Sequence, residues 1–223
     1  MKQPKERPQR IGIFGGTFNP IHLAHLRSAE EVREAQRLDR ILFVPSATPP
    51  HKRKQGLVSA EHRLAMVRLA ISGNPYFRVS TIEIERPGHS YSVDTLRALH
   101  ARLPGTSFAF IMGADAFREI DTWKEYESIF ALCDLVVTSR PPVEEPQLRE
   151  ALPVAVRSQF WYSSNRLEHR TGNQIIFQRI SDLEISASFI RRRLAGGLSI
   201  RYLVPASVER YISRYALYAR RSN

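Results

Sequence analysis

The chain contains one cysteine, Cys133, among its 223 residues. A lone cysteine excludes a disulfide framework and a cysteine-based zinc site, and it favours a reducing compartment such as the cytoplasm. The sequence also lacks an apolar run of about 18 residues, the least that a membrane-spanning helix needs. The basic segment 1–10 has no apolar core, so we expect no signal peptide there and no membrane partner.

Acidic residues are too few to balance the basic ones. The chain has 33 Lys and Arg against 22 Asp and Glu, a formal charge of +11. Residues 1–10 carry four basic and one acidic residue, and residues 189–223 carry eight arginines and one glutamate. Such basic ends are consistent with nucleic-acid binding, with a site for a polyanionic small molecule, or with termini that are simply solvated. Aromatic residues do not interleave with the basic ones, so we expect no nucleic-acid partner.

Apolar runs alternate with amphipathic stretches along the first 140 residues. The pattern predicts strands over 10–15, 40–44, 77–84, 107–112 and 134–138, and helices over 23–37, 60–72 and 92–102. This alternation predicts a Rossmann-like α/β fold, with a doubly wound parallel sheet flanked by helices. Ligands bind such sheets at the carboxyl ends of the strands, here the loops 15–25, 45–54 and 113–123.

The rest of the chain is less regular, but its length still fits one domain over 10–223 after a basic, disordered tail over 1–9. The weak periodicity of 141–173 leaves its role open, including that of a lid. A last strand is predicted at 174–177 and two helices at 188–194 and 206–217. They would form a small C-terminal helical part over about 183–218, with Ser188 as the N-cap of the first helix.

Two histidines follow two glycines in the first of these loops, GGTFNPIHLAH over residues 15–25. Glycines let the backbone approach a ligand closely, and a helix N-terminus with free amides favours phosphate. His22 and His25 are three residues apart and share a helix face. The alternatives are that each histidine only caps or packs the helix, or that they bind a metal, although no Cys or carboxylate ligand lies nearby in sequence.

A second candidate segment, ISASFIR over 185–191, begins one of the closing helices. Arg191 would lie one turn into this helix, where it can reach a phosphate group. The alternative is an ordinary capped surface helix with solvated arginines.

Together the two segments resemble the nucleotidyltransferase superfamily that carries a His-x-Gly-His motif and a second motif, Ile-Ser-Ser-Thr-x-Ile-Arg. Three positions depart from these motifs: Ala24 replaces Gly, Ala187 replaces Ser, and Asn19 stands where close members often have Asp. Over about 10–218 the chain is similar to bacterial nicotinate-mononucleotide adenylyltransferases. The matching segments, each with the number of its first residue, are GGTF at 15, PPHK at 49, SYSVDTL at 90, IMGAD at 111, TW at 122 and LVP at 203.

The resemblance implies transfer of an adenylyl group from ATP to nicotinate mononucleotide, giving deamido-NAD and pyrophosphate in NAD biosynthesis. Mg²⁺ would accompany ATP without a metal site on the protein, and the oligomeric state is left open. His22, His25 and Arg191 would be catalytic. The implied ATP site comprises Gly15, Gly16, Thr17, Phe18, His22, His25, Ser188, Ile190 and Arg191. The implied mononucleotide site comprises Lys52, Ser92, Gly113, Asp115 and Trp123.

The implied reaction needs neither a general base nor a nucleophilic side chain, because the attacking 5′-phosphate is already anionic. Catalysis would consist of positioning and charge stabilisation. Trp123 would stack on the cationic pyridine ring, and donors around Ser92 would favour its carboxylate over an amide. A related transferase acting on phosphopantetheine or glycerol phosphate would leave Trp123 no ring to stack on.

Overall fold

The computed structural model describes residues 8–49, 56–139, 150–163 and 166–219. The strands are β1 Arg10–Gly16, β2 Arg40–Pro45, β3 Phe77–Val79, β4 Ser107–Gly113, β5 Asp134–Ser139, β6 Phe160–Ser163, β7 Arg166–His169 and β8 Gln174–Arg179. The α-helices are α1 Leu23–Ala35, α2 Ala60–Ile71, α3 Ser92–Arg102, α4 Ala114–Arg118, α5 Tyr126–Leu132, α6 Ala187–Ala195 and α7 Ala206–Arg214. Short 3-10 helices occupy Ile120–Thr122 and Val154–Gln159. No helix within these ranges has the length and apolarity needed to cross a bilayer.

All eight strands form one sheet in the order β3-β2-β1-β4-β5-β8-β7-β6. Neighbouring strands run parallel from β3 to β8, and β7 and β6 are added antiparallel at one edge. The predicted doubly wound α/β fold is therefore confirmed, apart from this edge. The strand order reverses at β1 and β4, and the crevice beyond the carboxyl ends of such strands is where ligands bind.

Two parts of the sheet differ from the prediction. The strand predicted over 77–84 ends at Val79, because the chain turns there and the amide of Glu85 bonds the carbonyl of Thr81. Beyond Val79, Ile82 and Ile84 keep the spacing of two in the sequence, but they lie in a turn in which the adjacent residues Ile82 and Glu83 are both buried. Within the irregular region 141–173, strands β6 and β7 form an antiparallel pair that extends the sheet.

Each face of the sheet buries its own apolar cluster. Helices α3 and α5 pack over one face, around residues such as Leu96 and Phe130. Helices α1 and α2 cover the other face, and the same cluster includes Ile190 of α6 and Val208 of α7. The C-terminal helices thus share the core of the main domain. Of the predicted tail 1–9, residues 1–7 lie outside the described ranges, while the carbonyl of Gln9 accepts a bond from the amide of Ser107.

Candidate active site

The loop between β1 and α1 follows a tightly constrained path. A Cβ atom on Gly16 would lie only 3.0 Å from the ring of Phe18, so a larger residue at this position would have to displace that ring by a few tenths of an ångström. Phe18 itself is buried and has a φ of 49°, in the left-handed region that non-glycine residues rarely adopt. A cis peptide bond joins Asn19 and Pro20, and His22 is then the N-cap of α1. The loop therefore presents a closely defined stretch of backbone at the carboxyl end of β1.

His22 and His25 stack on each other at the beginning of α1. Their ring centroids are 3.6 Å apart, and the amide of His22 donates to Nδ1 of His25 over 3.2 Å. Because Nδ1 accepts this bond, the neutral His25 ring carries its proton on Nε2, which is then a donor. His22 is only 4% exposed, whereas His25 lines a cavity. His25 is therefore the histidine that a ligand can reach, and His22 orients it.

The prediction of free amides at the start of α1 is wrong for two of them. The amide of Leu23 donates to the carbonyl of Leu203 over 3.0 Å, because the segment before α7 packs against this end of α1. The amide of His22 is engaged by the His25 ring. A phosphate bound at this point would receive its hydrogen bonds from side chains and from the preceding loop, and not from these two amides.

Two cavities meet at this loop, and Gly16 and Thr17 line both of them. The first cavity has a volume of about 330 Å³ and lies among the ends of β1, β2 and β4 and the beginning of α3. The second cavity, of about 490 Å³, lies between the same loop and the beginning of α6. Ligands in the two cavities would approach each other across a single turn of backbone.

The first cavity combines an indole with a helix N-terminus. Trp123 lines it, half-buried, with its ring edge-to-face against Phe110 at a centroid distance of 6.1 Å. Ser92, the first residue of α3, also lines it. The N-cap residue Tyr91 makes no side-chain cap, so the first-turn amides of α3 keep donor capacity beside this cavity. An aromatic ring that carries a negative group fits these surroundings.

Two charged residues of the first cavity already have partners. The ammonium of Lys124 lies 3.1 Å from the carboxylate of Asp94, so much of its charge is compensated. Glu83 is 7% exposed, and the hydroxyl of Thr95 donates to it over 2.7 Å. Burial raises the pKa of Glu83 from its ordinary value, opposed by this hydrogen bond. The sequence does not identify Glu83 as a site residue, because it lies in the segment 77–84, whose alternation predicts a strand.

The other residues predicted for the mononucleotide differ in their placement. Gly113, the last residue of β4, lines the first cavity, and a Cβ atom there would meet open space. Asp115 is exposed and forms an ion pair with Arg118, and it is not among the residues that line either cavity. Lys52 lies outside the described residues.

The beginning of α6 lines the second cavity, but it is capped differently from the prediction. The N-cap is Ser186, two residues before the predicted Ser188, and its Oγ accepts a bond from the amide of Phe189. Ser188 lies in the first turn, lines the cavity and bonds the hydroxyl of Ser186. The side chain of Ile190 is fully buried in the core and does not face the cavity.

Arg191 connects α6 to the first loop. Its Nη1 donates to the carbonyl of Asn19 over 2.7 Å, and the side chain lines the second cavity with His25. The neighbouring Arg192 is exposed. Arg191 and His25 thus line one cavity, and the described lining of this cavity contains no carboxylate. This arrangement suits a polyanion such as a triphosphate.

A buried arginine that the sequence analysis missed joins the loops beneath both cavities. Arg63 of α2 is 1% exposed. Its guanidinium donates to four carbonyls, those of Thr17 at 2.9 Å, Ser46 at 2.5 Å, Ala47 at 3.0 Å and Val58 at 3.2 Å. Burial lowers the pKa of Arg63, but an arginine starts so high that it stays charged. The sequence does carry one signal of this burial, because Arg63 lies four residues before Val67 and therefore on the apolar face of α2.

Comparison with known proteins assigns the chain to a class. Residues 13–193 match the family model described as cytidylyltransferase-like, and the chain belongs to this family. The chain is thus a member of a nucleotidyltransferase family.

The curated relatives narrow the assignment. The chain is 53% identical over 212 residues to a protein of Geobacter sulfurreducens named "Probable nicotinate-nucleotide adenylyltransferase", covering 94% of this chain and 98% of the relative. A protein of Citrifermentans bemidjiense with the same name is 52% identical over 211 residues, again covering 94% of this chain and 98% of the relative. At this identity and coverage the chain belongs with the nicotinate-nucleotide adenylyltransferases, so the resemblance noted above is confirmed.

Solved structures agree in fold. The nicotinic acid mononucleotide adenylyltransferase of Plasmodium falciparum complexed with NaAD is 20% identical, with a TM-score of 0.73, covering 94% of this chain and 97% of that chain. The same enzyme complexed with APC has a TM-score of 0.71 at 19% identity and the same coverage. Their overall fold is shared with this chain.

We predict that Arg63→Met lowers the free energy of unfolding by about 3 kcal/mol, because buried carbonyls lose their donor. Urea denaturation followed by circular dichroism measures the change. Arg68→Met, on the exposed side of the same helix, is the matched control and should change stability by less than about 0.5 kcal/mol. Equal effects of the two substitutions would contradict the role given to Arg63.

Proposed function

We infer that this chain transfers the adenylyl group of ATP to nicotinate mononucleotide, forming deamido-NAD and pyrophosphate in NAD biosynthesis. The observation that carries this inference is the pair of cavities joined at Gly16 and Thr17. One cavity suits an aromatic ring with a carboxylate and the other suits a triphosphate. The curated relatives that are 53% and 52% identical to this chain are named for this activity.

The mononucleotide is proposed to bind in the first cavity. The indole face of Trp123 would stack on the pyridinium ring, which is cationic and therefore attracted to an aromatic face. The first turn of α3 at Ser92 would receive the carboxylate, because amide donors and helix polarity both favour an anion there. An amide in the same place would bring its own NH₂ against a donor, so we expect the nicotinate form to be preferred.

ATP is proposed to bind in the second cavity. His25 and Arg191 would contact the phosphates, helped by Ser188 and by the backbone of the loop from Gly16 to Phe18. The role of His22 is to hold the His25 ring with its Nε2 proton toward the ligand. In this scheme the α-phosphorus of ATP lies near the turn that both cavities share.

The chemistry is a direct displacement. An oxygen of the mononucleotide 5′-phosphate attacks the α-phosphorus, the bond to the bridging oxygen breaks, and pyrophosphate leaves with the electron pair. The attacking phosphate is already ionised near neutral pH, so the protein has no proton to remove. The work of the protein is to bring two anions together and to neutralise the charge that grows on the leaving group. His25 and Arg191 have the charge and donors for this task.

We propose that ATP enters as its magnesium complex, with the ion held by the phosphate oxygens. Throughout the described ranges, no three His, Cys, Asp or Glu side chains group closely enough to hold a metal ion. The described lining of the second cavity supplies cationic and neutral donors that suit phosphate. A cytoplasmic location, favoured by the lone cysteine, is part of the same proposal.

An assay of pyrophosphate release with ATP and a panel of acceptors tests the function. We expect kcat/KM for nicotinate mononucleotide to exceed that for nicotinamide mononucleotide by about 10- to 100-fold, from one mismatched buried donor. Phosphopantetheine and glycerol phosphate should give background rates. Equal use of the two pyridine nucleotides would refute the carboxylate site, and a rate only with another acceptor would refute the assigned reaction.

The two tryptophans of the chain provide a matched pair of substitutions. Trp123→Ala should lower kcat/KM for the mononucleotide by roughly 10- to 100-fold, because the ring stacking is lost. Trp161, on the edge strand β6 and bonded to Glu168, lies outside both cavities, so Trp161→Ala should keep the kinetics of the unaltered protein. Similar losses in both variants would argue against a stacking role.

Adjacent arginines on α6 test the ATP side. Arg191→Ala should lower kcat/KM for ATP by about 100-fold, because it removes a charged donor from the second cavity. Arg192→Ala removes the same charge from the exposed side of the helix and should change kcat/KM less than about twofold. Comparable losses would mean that only the overall positive charge of this region matters.

A further inference from the structure

The last described turn of the chain bends back toward the first loop. Helix α7 ends at Arg214, and both Ala216 and Tyr218 then have positive φ angles, of 46° and 64°. Non-glycine residues adopt this region at a cost in free energy that neighbouring contacts must offset. Leu217 and Tyr218 pack against the apolar cluster that contains Phe18 and Ile190. The strained turn therefore places Tyr218 in a specific position.

Tyr218 reaches the loop between β1 and α1. Its hydroxyl donates to Oδ1 of Asn19 over 2.8 Å, although the two residues are 199 positions apart in sequence. Burial raises the pKa of Tyr218, opposed by the nearby cations Arg191 and Arg63. The hydroxyl therefore keeps its proton and remains a donor to Asn19.

Asn19 also makes hydrogen bonds with two other segments, the stretch 56–58 and helix α6. Its Nδ2 donates to the carbonyl of Gly56 over 2.8 Å, and its Oδ1 also accepts from the amide of Val58 at 3.3 Å. Its backbone carbonyl accepts from Nη1 of Arg191 at 2.7 Å. The bond from Tyr218 helps to fix the plane of the Asn19 amide, and with it the path of the backbone that holds Arg191.

We propose that Tyr218 is a positioning residue for the ATP side of the site, acting through Asn19 and Arg191. This proposal rests on the proposed function. Asn19 and Arg191 line the second cavity and do not line the first. A loss of the Tyr218 bond should therefore weaken the use of ATP and leave the use of the mononucleotide nearly unchanged. A residue that only stabilised the fold would not produce this separation.

The test compares Tyr218→Phe with Tyr215→Phe. Each substitution removes one hydroxyl and keeps the ring, and Tyr215 is a half-exposed neighbour whose ring packs at a tilt against that of Tyr211. Initial rates are measured with ATP varied at saturating nicotinate mononucleotide, and then the reverse. Tyr218→Phe should raise the KM for ATP by about three- to tenfold, the effect of one buried hydrogen bond, with the acceptor KM changed less than about twofold. Tyr215→Phe should change neither value.

A double variant separates positioning from general destabilisation. If Tyr218 acts through Arg191, then Tyr218→Phe combined with Arg191→Lys should raise the KM for ATP by less than the product of the single effects. An unchanged KM for ATP in Tyr218→Phe, or multiplicative effects in the double variant, would overturn the proposal. A parallel rise of both KM values with a lower Tm would also overturn it, since that pattern marks a purely structural role.

The proposed function can fail separately from this inference. An unaltered protein that forms no deamido-NAD would refute the function. In that case, binding of a non-hydrolysable ATP analogue, measured by calorimetry, still tests Tyr218. Tyr218→Phe should weaken analogue binding by about three- to tenfold relative to Tyr215→Phe, and equal affinities would overturn the positioning role.

Discussion

The site depends on the burial of one guanidinium group. Arg63 lies beneath the loops that follow β1 and β2, where an uncompensated charge would be very unfavourable. Four carbonyl oxygens compensate it, and these belong to loops that line the cavities or adjoin them. The charge and the loops therefore stabilise each other: the loops need the arginine to satisfy their carbonyls, and the arginine needs the loops in order to be buried.

The proposed chemistry needs few side chains from the protein. The proposed reaction demands no base and no nucleophile from the protein, so backbone geometry and a few cationic or neutral donors suffice. The backbone amide of His22 donates to Nδ1 of His25, and the backbone carbonyl of Asn19 accepts from Arg191. The two cavities share the turn at Gly16 and Thr17, which is the arrangement required when two anionic substrates must meet at one phosphorus atom.

The differences between prediction and structure have identifiable physical causes. The sequence predicts a strand beyond Val79 because Ile82 and Ile84 are spaced by two residues, although both lie in a turn. The sequence does not predict the pair β6 and β7, because strands of four residues are too short to show a clear alternation, and Trp161 on the edge strand β6 is about half exposed. The N-cap was assigned to Ser188 rather than Ser186 because both serines precede the same helix, and only backbone geometry distinguishes them.

The sequence alone determined the alternation of strands and helices, the parallel sheet, and the two motifs with their histidines and arginine. These features depend on local periodicity and on glycine, proline and helix-start chemistry, which operate over a few residues. The tertiary structure decided the surroundings of Arg63, Glu83, Asn19 and Tyr218, and which of the two stacked histidines lines a cavity. A polar side chain looks the same in sequence whether it is solvated or buried. Its role is set by which distant groups meet it, as when Tyr218 meets Asn19 across 199 positions.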